Sequence, residues 1–128
     1  MHRLCLFTVL ALWPTMAPAD SGRGPTPVQT DTLDALRWQA RPVVVLGPDA
    51  QVARQVADLQ SHAQQLTDRE VVILTDGPGA DALRDGAGFQ VLLIGKDGGI
   101  KMRSDTPVTA EHILSLIDSM PMRQGETR

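Results

Sequence analysis

The chain has 128 residues, a formal net charge of −3 and a single cysteine, Cys5. That length suits one domain with a sizeable core. The mildly acidic balance argues against nucleic-acid binding, and one thiol cannot form an internal disulfide.

Met1-His2-Arg3 is a short basic start, and Leu4 to Trp13 is apolar apart from Thr8. Pro14 interrupts the run, and Ala17-Pro18-Ala19 supplies a small-x-small pattern before Asp20. That order predicts a Sec signal peptide over residues 1–19, cleaved after Ala19. The apolar run is about ten residues, half of the roughly 20 that a membrane span needs. Cys5 lies ahead of the run, the wrong place for a lipidated cysteine, and leaves with the leader. Only Arg3 leaves with it among the basic residues, so eleven basic and fifteen acidic side chains remain. No later stretch approaches membrane length, so the mature chain is expected to have no membrane span and to lie in the periplasm or outside the cell.

Residues 20–30 are rich in Gly, Pro, Ser and Thr and read as a flexible tether without core-forming residues. Residues 31–39 suit a short helix capped by Asp31 or Thr32, with Leu33, Leu36 and Trp38 as its apolar contacts. Val43-Val44-Val45-Leu46, Val71-Val72-Ile73-Leu74 and Val91-Leu92-Leu93-Ile94 are apolar at every position, the pattern of strands buried on both faces. Between the first two, Val52, Val56, Leu59, Ala63 and Leu66 recur at helical spacing, with Asp49 as N-cap. This is a βαβ unit with parallel strands and a right-handed crossover. Residues 76–88 are Gly- and Asp-rich, with one helical turn near Ala80 to Arg84. Gly95-Lys96-Asp97-Gly98-Gly99 has the composition of a hairpin turn. Ile100-Lys101-Met102-Arg103 alternates apolar and basic, as an edge strand with one buried face does. Thr109 caps a last helix that buries Ile113, Leu116, Ile117 and Met120 and stops at Pro121.

The order predicts an α/β, thioredoxin-like domain over residues 31–124, followed by a tail over 125–128. Its expected sheet is mixed and four-stranded, a βαβ unit plus a β-hairpin, flanked by helices on both sides. Three motifs carry a further resemblance: Trp38-Gln39-Ala40-Arg41-Pro42, Leu93-Ile94-Gly95-Lys96-Asp97-Gly98-Gly99-Ile100-Lys101 and Ile117-Asp118-Ser119-Met120-Pro121-Met122-Arg123. In this order they resemble the P-DUDES family of secreted bacterial domains, related to domains of equarin and the sushi-repeat extracellular proteins. The resemblance spans Leu33 to Arg123 and departs at Leu46-Gly47, where such domains tend to carry an aromatic. It implies a thioredoxin-like fold and export, and no established activity.

Thioredoxin-like enzymes place a thiolate at the N-terminus of the helix after the first strand. Here that place reads Gly47-Pro48-Asp49-Ala50-Gln51, with a negative charge where the dipole favours an anion. The residues before the third strand, Gly88-Phe89-Gln90, lack the usual cis-proline. Thiol-dependent redox chemistry is thus excluded for the mature chain. Gly95-Lys96 lacks the upstream glycine and following hydroxyl of a phosphate loop. His62 and His112 lack ligand spacing, and Asp76, Asp81 and Asp85 lack that of a calcium loop. Ser104, Ser115 and Ser119 have no nucleophile-elbow context. No cofactor or metal is expected, and no catalytic set is visible.

The predicted topology sends the three motifs to the pole opposite the thioredoxin active site. Arg41, Lys96, Asp97, Lys101, Arg103 and Arg123 are the candidate binding residues there, with Trp38, Arg69 and Glu70 nearby. A structural version pairs Arg41 or Arg123 with Asp97 or Glu70 and closes the core with Trp38 and Met120. A recognition version offers the cations to a cell-envelope protein or an anionic glycan. The leading expectation is a binding or assembly module of the cell envelope. The alternatives are an enzyme with Asp97 or Glu70 as acid/base and the arginines as an anion clamp, or an accessory partner of a redox enzyme.

Overall fold

A computed structural model describes residues 25–127, so the predicted signal peptide and the first part of the tether lie outside the described residues. Among the described residues, five strands form one mixed sheet in the order β1-β3-β2-β4-β5. They are β1 (Thr26–Pro27), β2 (Arg41–Leu46), β3 (Val71–Thr75), β4 (Gln90–Ile94) and β5 (Ile100–Ser104). β1 and β2 run parallel to β3, whereas β4 is antiparallel to both β2 and β5. The helices are α1 (Thr32–Leu36), α2 (Asp49–Gln60), α3 (Ala63–Asp68), α4 (Ala110–Asp118) and α5 (Pro121–Glu126), with a 3-10 segment at Pro78–Ala82.

The apolar runs behave as their composition requires. Val43, Val45, Val91 and Leu93 face Val56, Leu59, Leu66, Ile113 and Ile117 on one side of the sheet. Val44, Leu46, Leu74, Leu92 and Ile94 face Val28, Ala80 and Leu83 on the other. Pro42 fits inside β2 because pairing with β4 begins only at Val43, so the missing N–H is not needed on that side. A buried amide ties the first layer together: Gln55 Nε2 donates to the Val108 carbonyl and Gln55 Oε1 accepts from the Val108 N–H, both at 2.8 Å.

Several elements differ from the sequence prediction. The sheet has five strands, not four, because Thr26–Pro27 pairs with Leu74 and Thr75. Val28, in the stretch read as free of core-forming residues, is fully buried. The Gly77-Pro78-Gly79 turn closes on it, with the Gly79 N–H donating to the Val28 carbonyl at 2.9 Å. A Cβ on Gly79 would stand 2.2 Å from the Gln29 carbonyl oxygen, so the glycine is what allows that approach. The crossover helix is broken at Ser61–His62, where Ser61 Oγ donates to the Asp58 carbonyl at 2.6 Å and competes with the helical ladder. Pro48, not Asp49, is the N-cap of α2; Asp49 is the first helical residue. Thr109 does cap α4, its Oγ1 accepting from the His112 N–H at 3.2 Å. α4 ends at Asp118, ahead of Pro121, which instead opens α5 as its first residue.

The edge strand also departs from simple alternation. Ile94 pairs with Ile100 and Leu93 with Met102, so Lys101 is an extra residue in a β-bulge. The bulge resets the two-residue period. Met102 reaches the first core layer, while Ile100 is left 46% exposed.

Candidate functional site: a charged pole

The start of β2, the turn before β3, the β4–β5 hairpin and α5 meet at one end of the sheet. Backbone bonds fix the meeting: the Arg41 N–H donates to the Glu70 carbonyl at 2.8 Å and the Trp38 N–H to the Lys96 carbonyl at 2.7 Å. Asp97 Oδ1 accepts from the Gly99 N–H at 2.9 Å, as a side chain shaping a turn does.

Glu126, in the stretch read as a tail, is the hub of the charges. Arg41, only 1% exposed, grips it with both guanidinium ends, at 3.2 Å from Nη1 to Oε1 and 2.9 Å from Nη2 to Oε2. Arg41 Nη1 also donates to the Arg69 carbonyl at 2.8 Å. Lys96 Nζ reaches Glu126 Oε2 at 3.0 Å and also contacts the Glu70 carboxylate. Arg123 Nη1 donates to the Asp68 carbonyl at 3.0 Å and lies 3.4 Å from Glu126 Oε1. The hydrogen bonds from Arg41 hold the Glu126 carboxyl down to about 2, against the opposing effect of burial and with help from Lys96. For Lys96, burial disfavours the charge, but the two carboxylates outweigh it and raise its pKa. Alongside, Arg69 forks onto Asp118 at 2.8 and 2.9 Å and lowers the pKa of that carboxyl.

The structure therefore brings Arg41, Lys96 and Arg123 together, but around Glu126. Of the expected acids, Glu70 joins this cluster through Lys96 and Asp97 pairs with Lys101 at 2.9 Å; neither pairs with Arg41 or Arg123. Lys101 stays with the hairpin. Arg103 does not belong to this pole. It lies three residues up β5, opposite Leu92, and donates to the Leu83 carbonyl at 2.8 Å and Gln90 Oε1 at 3.1 Å. Met120 packs against the core as predicted. Trp38 does not close the core. It is 57% exposed, with a left-handed backbone (φ 67°), and the Arg37 guanidinium lies 5.5 Å from its ring centroid.

Glu126 itself carries no motif, and its signal is only indirect: a buried arginine at a strand start requires a carboxylate from somewhere. Trp38, Ile100 and Met122 are the exposed large hydrophobics among the described residues. All three sit on segments that converge on this pole. His62 Nε2 lies 3.0 Å from Glu111 Oε1, joining α3 to α4 at the surface. Among the described residues no group of three His, Cys, Asp or Glu side chains is placed to hold a metal ion. No described helix is long and apolar enough to cross a membrane.

The family described as "Domain of unknown function (DUF4174)" matches residues 80–126, which run from the 3-10 segment through α5. The match takes in Lys96, Arg123 and Glu126 and leaves out Arg41 and Glu70. No curated protein and no solved structure matches the chain significantly.

Proposed function

We propose that the chain is an exported, thioredoxin-like domain that works by binding, as an assembly module of the cell envelope, without thiol chemistry. The β2–α2–β3 crossover followed by an antiparallel hairpin supports the thioredoxin-like reading, as do helices on both faces of the sheet. The leader pattern at residues 1–19 supports export.

The observation that carries the binding reading is the contrast within one pole. Its candidate cations are neutralised by partners inside the fold, while Trp38, Ile100 and Met122 stand exposed there. Three exposed large hydrophobics on segments that meet at one end offer apolar surface to a partner, and Trp is among the residues that dominate protein interfaces. The acid/base reading loses support because Asp97 and Glu70 are each ion-paired.

The test is affinity capture from the envelope fraction of the native host with tagged wild-type protein and a Trp38→Ala variant. The expected outcome is a partner recovered by wild type and lost by the variant, with both unfolding at the same denaturant concentration. Recovery that does not depend on Trp38 would overturn the reading.

A further inference from the structure

We infer that Trp38, with Arg37 beside it, docks into the groove at the opposite pole of a second copy of this chain. The inference deepens the binding reading and rests on it, by naming the partner.

The knob is preformed. Trp38 is held by its backbone bond to Lys96 in a left-handed conformation that a non-glycine residue adopts at a cost. The Arg37 guanidinium carbon lies 5.5 Å from the ring centroid, within cation–π range, and its N–H groups have no partner among the described residues. Among the described Lys and Arg side chains, only Arg37 and Arg54 make neither a hydrogen bond nor an ion pair, and Arg54 has no aromatic neighbour to stack on.

The receptor lies at the carboxyl ends of β2 and β3, against α2. It is a groove of about 480 Å³ with apolar walls from Pro25, Val52, Ala53 and Val56 and with Asp49 in its lining. Asp49 has no hydrogen-bond or ion-pair partner among the described residues, whereas Asp76, also in the lining, is paired with Arg84 at 2.6 Å. An exposed aromatic beside an uncommitted cation thus matches an apolar groove beside an uncommitted carboxylate.

The two features sit at opposite ends of β2, whose six residues span about 20 Å. A contact between them is heterologous and joins copies head to tail. Two side chains bury less than the roughly 1,200 Å² of a stable interface, so the association is weak and depends on concentration.

Sedimentation velocity of the purified protein from micromolar to millimolar concentration tests this. Wild type is expected to form a concentration-dependent series of oligomers. Trp38→Ala, Arg37→Glu and Asp49→Arg, all at exposed positions, are each expected to weaken it about tenfold or more while keeping the circular dichroism of the fold. Mixing Arg37→Glu with Asp49→Arg restores assembly, because each copy then meets an opposite charge. A wild type that stays monomeric throughout, or variants that associate as wild type does, would overturn the inference. If the protein is monomeric while Trp38-dependent capture of another protein persists, self-association fails and the binding reading stands. If the capture is also lost, both fail.

Discussion

At the residue scale, Glu126 decides what the charged pole does. Its ordinary pKa of 4.5 is lowered to about 2 in the folded chain, chiefly by Arg41. A group held below its unfolded value adds stability above that value and loses it as the pH falls through the folded one. The stability advantage of wild type over Glu126→Gln should therefore be full at neutral pH. It should shrink as the pH drops from about 4.5 toward 2, as read by urea unfolding at each pH; a pH-independent difference would contradict this. The cations of the pole were legible from their neighbours in sequence, because Arg41 and Lys96 flank strands whose ends had to meet. Their partner was not. Glu126 lies 85 residues from Arg41, and nothing local separates it from the acids of an exposed tail.

At the scale of elements, what could be read depended on pattern length. The β2, β3 and β4 runs and the Thr109 cap were legible because each carries several agreeing signals within a few residues. β1 was not: two residues, one of them proline, have no period, and its pairing depends on the Gly77–Gly79 turn folding over Val28. The bulge at Lys101 was hidden because Ile100-Lys101-Met102-Arg103 alternates perfectly in sequence, while the extra residue shifts the register in space. Gln55 was equally silent, a polar residue on the buried face of α2 that serves both backbone groups of Val108. Gln55→Ala leaves a buried N–H and carbonyl without partners and should cost about 2 kcal/mol. Chemical denaturation measures it, and a change under about 0.5 kcal/mol, the range of an ordinary surface substitution, would contradict the assignment.

At the scale of the whole molecule, the two core layers leave the C-terminal end to be fastened by charge. α5 has no buried residue of its own. It is held where Glu126 meets Arg41 and Lys96 and where Arg123 meets Asp68. This pole is an internal lock, and in the proposed binding role recognition falls to the exposed side chains around it. Breaking a buried ion pair typically costs roughly 3–5 kcal/mol, and the partial exposure of Glu126 reduces that to about 2 kcal/mol here. A double-mutant cycle by urea unfolding, with Glu126→Gln, Arg41→Met and the pair combined, tests the lock most directly. Each single change should cost about 2 kcal/mol, and the double should cost clearly less than their sum, since Arg41 is no longer stranded. Single variants as stable as wild type that nonetheless lose a captured partner would contradict it and return the charges to a role in recognition.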